Sequence, residues 1–250
     1  MRATAVAALG VALCAGCSRT PASPPETPAM TDAPKPAARV LTLPPASGQT
    51  KLLVVLLHGV GASADSFLPI ARALAPAVPD AEFAVLEGLH PFDGATQGRQ
   101  WFSLQGITEQ NRPARVRQAG TEVSAWLDGA LAQRGLGPER VVLLGFSQGA
   151  ILAQWLALHR QPSPLAVVSL SGRLAEDAPA VPGSTSVPVL LVHGTRDPVI
   201  ASRFSEEAAK ELEARGAHVR LKLFPALAHG VDAAVLEEVQ HFLADTLPPG

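Results

Sequence analysis

Residues 143–150 read LLGFSQGA, which sets Ser147 between Gly145 and Gly149 where an apolar run stops and helix-forming residues begin. The pattern G-x-S-x-G between a strand and a helix holds a serine on a sharp bend with its hydroxyl presented for attack. The need for glycine there is steric, because side chains two residues either side would strike the adjoining strand and helix. A serine hydroxyl is a poor nucleophile until a base takes its proton, and that base needs an orienting acid. Downstream, VPVLLV runs into HGTRDPV, which carries Asp197, and VRLKLF runs into PALAHG, which carries His229. Taken alone, Asp197 also reads as a helix N-cap with Pro198 in the first turn. His229 beside Gly230 also reads alone as a surface loop histidine. Three suitable residues in the order Ser, Asp, His, each at the end of a strand, favour a joint role. Other candidates fit less well: His218 lies beside the start of a strand, His241 falls on the polar side of the last helix, and His193 shares a turn with Asp197 and reads as its support.

Attack on a carbonyl carbon leaves negative charge on its oxygen, and two backbone N–H donors aimed at that oxygen are worth roughly 3–4 kcal/mol each. The N–H of Gln148, next after the serine, is one expected donor. The other is expected from His58-Gly59-Val60-Gly61-Ala62, after the first buried strand, with Val60 N–H as the donor. Its glycines allow a close backbone approach. His58 itself reads as a structural hydrogen-bonder.

These residues need rigid elements to hold them. Apolar runs at 52–57, 165–170 and 187–192 read as strands buried on both faces, with further strands at 82–86, 140–144 and 219–224. Between them, helical spacing appears at 66–75, 113–134, 148–159, 199–215 and 231–243. Buried strands alternating with amphipathic helices define an α/β domain with a mainly parallel sheet covered on both sides. In such sheets ligands bind beyond the carboxyl ends of the strands, which is where Val60, Ser147, Asp197 and His229 fall.

The first 17 residues differ in kind. Arg2 precedes ATAVAALGVALCAG, an apolar stretch too short to span a bilayer. A basic start, a short apolar core and small residues before a cut site read as an export signal. The stretch ends Leu13-Cys14-Ala15-Gly16-Cys17, which resembles a bacterial lipobox with Cys17 as the acylated residue, although Cys14 stands where an aliphatic residue is usual. Eight of the 23 prolines fall between Pro21 and Pro45, among Ser, Thr and Ala. Such a segment buries too little apolar surface to fold alone. Residues 1–17 are therefore expected to be the signal, 18–38 an extended tether, and 39–247 an exported domain held by lipid at a membrane. That domain contains no cysteine, so its core has no disulfide to lean on. A net charge of -2 gives no reason to propose a nucleic-acid surface, and no Cys/His group has metal-ligand spacing.

The segments LLHGVGAS, GRQWFSL, LLGFSQGAILAQWLAL, LVHGTRDPVI and FPALAHGV together resemble the phospholipase/carboxylesterase family of α/β-hydrolases, the group of bacterial carboxylesterases and acyl-protein thioesterases. The resemblance implies the α/β-hydrolase fold and a serine hydrolase acting on small or medium acyl esters or thioesters, with no metal or organic cofactor. It gives Ser147 the role of nucleophile, His229 that of base and Asp197 that of orienting acid, with Val60 and Gln148 as oxyanion donors. It also sets Trp101 and Phe102 at the border of the acyl pocket. Two departures stand out: Ser103 occupies a place that is acidic in many relatives, and the export segment is unlike the usual cytosolic members. Two alternatives are weighed beside it. A dienelactone hydrolase usually carries cysteine where Ser147 stands, and a surface-tethered binding protein without turnover would have no need of Ser, Asp and His together.

Overall fold

The computed structural model describes residues 39–175 and 185–247. The expected signal with Cys17, and the expected tether, lie outside the described residues. In chain order the elements are β1 (Val40–Leu43), β2 (Leu52–Leu57), α1 (Ala64–Leu74), β3 (Ala81–Leu86), β4 (His90–Pro91), β5 (Arg99–Gln100), α2 (Arg112–Gln133), β6 (Val141–Phe146), α3 (Gln148–His159), β7 (Ala166–Leu170), β8 (Pro188–Gly194), α4 (Arg203–Ala214), β9 (His218–Phe224) and α5 (Ala233–Thr246). Seven strands form one sheet in the order β1-β3-β2-β6-β7-β8-β9, and β4 pairs with β5 in a separate hairpin. Only β1, on the edge, runs antiparallel to its neighbour, and the other pairings in the large sheet are parallel. This is the mainly parallel, helix-covered sheet expected from the alternation of strands and helices, and it agrees with the α/β-hydrolase fold that the resemblance implies.

Strand alternation sends side chains to two cores. Leu53, Val55 and Leu57 of β2 join the core under α2, α3 and α4. Leu52, Val54 and Leu56 join the core under α1 and α5, with Phe67, Leu74, Val239 and Phe242. All six residues of β2 are buried, which explains their lack of polar alternation. Helix α3 is apolar on every side because 11 of its 12 residues are buried, as a central helix must be. A Cβ on Gly120 would come within 2.1 Å of the Trp155 ring, so the close crossing of α2 over α3 needs a glycine in α2.

Helix α4 begins at Arg203 rather than at the expected Val199. Residues 198–200 instead fold back so that the N–H groups of Val199 and Ile200 donate to Asp197 Oδ1, at 2.8 and 2.9 Å. Asp197 caps this turn and is not the N-cap of the helix. The edge strand β1 and the short hairpin β4–β5 have too little periodic sequence to stand out along the chain. Between them they cover the sheet's edge and the loop after β2.

Candidate active site

The elbow forms at the carboxyl end of β6. Ser147 has φ 54° and ψ -114°, a left-handed strained conformation for a residue with a side chain. Its N–H donates to Leu170 O at 2.9 Å and its carbonyl accepts from Ile151 N–H at 3.1 Å, which tie the bend to β7 and α3. A Cβ on Gly145 would lie 2.2 Å from Gly149 O, and one on Gly149 would lie 2.1 Å from Leu57 O. Both glycines are therefore sterically required, as the sequence suggested.

His229, in the loop after β9, reaches over this bend. Its Nε2 lies 3.0 Å from Ser147 Oγ, although 82 residues separate the two in sequence. Its Nδ1 lies 2.6 Å from Asp197 Oδ2. A carboxylate can only accept, so Nδ1 carries the proton and Nε2 is left to accept from the serine hydroxyl. The loop after β9 can cross so close because Gly194 ends β8: a Cβ there would meet Leu227 O at 2.2 Å. Thr195 N–H to Phe224 O and Arg196 N–H to Leu227 O stitch the two loops together. Phe146, the residue between the elbow's first glycine and Ser147, packs its ring against His229 with 4.9 Å between centroids. Nothing along the chain marks that contact in advance.

The Asp197 carboxyl is fully buried. Burial opposes its ionisation, but donation from His229 and from the N–H groups of Ile200 and Val199 outweighs this and holds it below the usual carboxylate range. His193, also fully buried, lies 3.2 Å from the same Oδ2 through its Nε2. Burial pushes the His193 pKa down, so it stands neutral beside Asp197.

The loop after β2 packs against the elbow, since a Cβ on Gly59 would lie 3.4 Å from Ser147 Cβ. The N–H groups of Gly61 and Ala62 are used within this region, by Arg99 O and Gly59 O. Val60 N–H comes directly before them in sequence. Gln148 N–H is the first amide of α3, without an intrahelical acceptor and at the positive end of the helix dipole. His58 does take a structural part: its Nδ1 donates to Gly59 O at 2.7 Å and its Nε2 accepts from Gly88 N–H at 2.9 Å. Those partners fix a neutral ring, and burial lowers its pKa accordingly.

Trp101 is fully buried and Phe102 is 4% exposed. Their described polar contacts point toward the elbow. Trp101 N–H donates to Gln148 Oε1 at 2.8 Å, Gln148 Nε2 donates to Phe102 O at 2.7 Å, and Trp101 Nε1 donates to His58 O at 2.7 Å. The segment thus clamps the Gln148 side chain and the loop carrying Val60 at once, a role that residue types alone did not suggest. The segment also lines a cavity of about 530 Å³ with Phe92, Asp93 and Arg115. Ser103 Oγ donates to Asp93 Oδ2 at 2.5 Å, so a carboxylate stands beside residue 103 although that residue is not acidic. This contact holds the Asp93 pKa below the usual value.

A serine on a strained elbow, hydrogen-bonded to an imidazole that a buried carboxylate holds, on a mostly parallel sheet, defines a hydrolase of the α/β class. The model of the phospholipase/carboxylesterase family matches residues 42–247. The chain is 34% identical over 196 residues to esterase YpfH of Escherichia coli strain K12, spanning 78% of this chain and 83% of that relative. It is 31% identical over 121 residues to acyl-protein thioesterase 1 of Gibberella zeae, spanning 46% of this chain and 52% of that protein. The crystal structure of esterase PE8 matches with a TM-score of 0.77 at 30% identity, covering 84% of this chain and 99% of that one. The Bacillus cereus carboxylesterase shares the fold, with a TM-score of 0.72 at 20% identity over 85% of this chain and 96% of that one. The chain belongs to the phospholipase/carboxylesterase family and is a carboxylic ester hydrolase.

Proposed function

We propose that the domain cleaves small or medium acyl esters or thioesters through an acyl-enzyme on Ser147. Ser147 Oγ attacks the acyl carbon while its proton passes to His229 Nε2. The oxyanion accepts from Val60 and Gln148 N–H, and Asp197 steadies the imidazolium through Nδ1–H. His229 then gives its proton to the leaving alcohol or thiol, and the carbonyl reforms with the acyl group on Ser147. Water repeats the sequence, its proton going to His229 and back to the serine as the acid leaves. The observation that carries this reading is the paired contact of His229, 3.0 Å to Ser147 and 2.6 Å to Asp197. Trp101 and Phe102 border the acyl side in this scheme.

Ser147→Ala is expected to abolish p-nitrophenyl ester hydrolysis, and parent-rate turnover by that variant would refute the assignment. A fluorophosphonate should add to Ser147 of the parent protein, whereas a binding protein without turnover would stay unmodified by mass. Esters of graded acyl length then define the preferred chain. We also propose that residues 1–17 direct export, that Cys17 is acylated and that 18–38 tether the domain at 39–247. The support is the sequence pattern alone. Cys17→Ser should move the protein from the membrane fraction to the soluble one, and unchanged fractionation would count against lipidation.

A further inference from the structure

The row from Ser147 through His229 to Asp197 does not end at the carboxylate. His193 Nε2 lies 2.8 Å from Ile200 O and 3.2 Å from Asp197 Oδ2. Both partners can only accept, so Nε2 carries a proton shared between them. On the other side of the ring, His193 Nδ1 lies 2.6 Å from Ser205 Oγ. A neutral ring with its proton on Nε2 can only accept at Nδ1, so the Ser205 hydroxyl donates. Its other described neighbour, Gly172 O, is farther away at 3.5 Å. Both His193 and Ser205 are completely buried. The titratable groups facing His193 are Asp197 from its own turn and His229 from the loop after β9. α4 supplies Ser205, and the loop after β7 supplies the Gly172 carbonyl.

The chemistry of this arrangement depends on which ring nitrogen holds the proton. With the proton on Nε2, His193 donates to the oxygen of Asp197 that also holds His229, so Oδ2 is fixed from two directions. With the proton on Nδ1, the Nε2 lone pair would face Asp197 Oδ2 and Ile200 O and push the carboxylate out of line. An acceptor in place of Ser205 would favour that second form, and no partner at all would permit it. Resting on the catalytic row proposed above, we propose that Ser205 is a positioning residue: by donating to His193 Nδ1 its hydroxyl supports the Nε2–H tautomer that Ile200 O and Asp197 Oδ2 select, and His193 in turn holds Asp197 in place for His229. A buried serine that merely satisfies a core histidine would affect stability and leave turnover per folded site untouched.

The test uses that difference. Rates are measured with a p-nitrophenyl ester on the full chain, with active sites counted by fluorophosphonate labelling so that misfolded protein drops out. Ser205→Ala should lower kcat about fivefold with KM within twofold. His193→Asn keeps a polar group near the Nδ1 position and removes the donor to Asp197. It should lower kcat about tenfold, the size expected for losing a hydrogen bond to a charged group. His193→Gln places its carboxamide near the Nε2 position and should recover kcat to within about threefold of the parent. Parent-level kcat in either Ser205→Ala or His193→Asn overturns the proposal, and so does His193→Gln being as slow as His193→Asn. If one position gives no folded protein, the other decides by the same criterion. Ser147→Ala run alongside separates the two readings: an inactive Ser147→Ala with fully active Ser205 and His193 variants rejects only the positioning role.

Discussion

Replacing Gly194 by alanine tests whether the close crossing of the loop after β9 sets the position of His229. A Cβ at residue 194 would sit 2.2 Å from Leu227 O and 2.6 Å from Ala228 O. Side-chain carbons essentially never come closer than 3.0 Å, so something must move by at least ~0.8 Å. Gly194 pairs with Phe224 at the end of the ladder between β8 and β9, whereas residues 225–229 are a loop, so the loop yields first. His229 follows Leu227 by two residues. A shift of that size would stretch its 3.0 Å contact with Ser147 Oγ past hydrogen-bonding range. A displacement of about 1 Å in a catalytic group costs on the order of 100-fold in rate, and overpacking of this kind costs ~1–3 kcal/mol of stability. Gly194→Ala should therefore lower kcat about 100-fold with little change in KM, and should slow fluorophosphonate labelling of Ser147 in parallel. A folded Gly194→Ala variant within threefold of the parent kcat would refute the reasoning, because the backbone would then have found room without moving the imidazole.

Gln148→Met keeps the side chain's length while removing both of its hydrogen-bonding ends. Trp101 N–H and Phe102 O lose their partner, and two unpaired buried groups should cost about 2–4 kcal/mol in total, read as a lower urea midpoint at unchanged slope; a loss below about 1 kcal/mol would contradict the clamp. His58 and His193 are both lowered from the ordinary 6.5 by burial. Between their folded values and about pH 6.5 the unfolded chain binds protons that the folded one excludes, so stability is full above about 6.5 and falls as the pH drops below it. The slope is at most about 1.4 kcal/mol per pH unit for each histidine. Urea unfolding at pH 7.5, 6.5 and 5.5 should show the larger fall in the lower interval, and a flat profile would contradict the burial of both rings as neutral groups.

Much of the fold could be read from local spacing. The continuous apolar run at Leu52–Leu57 is β2, and the segment expected as helix at 148–159 is α3, with matching ends. Both belong to elements buried on all sides, whose sequences carry no competing polar pattern. Edge elements were harder to see: β1 is four residues long and only half-buried, and β4 and β5 are two residues each. Their strand state comes from a partner distant in the chain, with Val40 opposite Leu86 and His90 opposite Gln100. The start of α4 falls later than the spacing predicts for a related reason. Helical spacing around Val199 was genuine, but Asp197 takes the amides of Val199 and Ile200 for its own turn.

Local sequence sets the order of the groups at the candidate site: Ser147 on a glycine-flanked bend, then Asp197 and His229, each just past a strand. Those features are local, because strand, turn and helix propensities act over a few residues. Tertiary structure alone decided what holds these groups in line: Phe146 against His229, Gln148 gripped by residues 101 and 102, and His193 backed by Ser205. Each is a contact made when parallel strands and their crossover helices pack. The hydrogen bond from Trp101 N–H to Gln148 Oε1 spans 47 residues, far beyond the reach of any local periodicity. Which side chain fills such a place depends on the shape of the cavity that folding leaves for it.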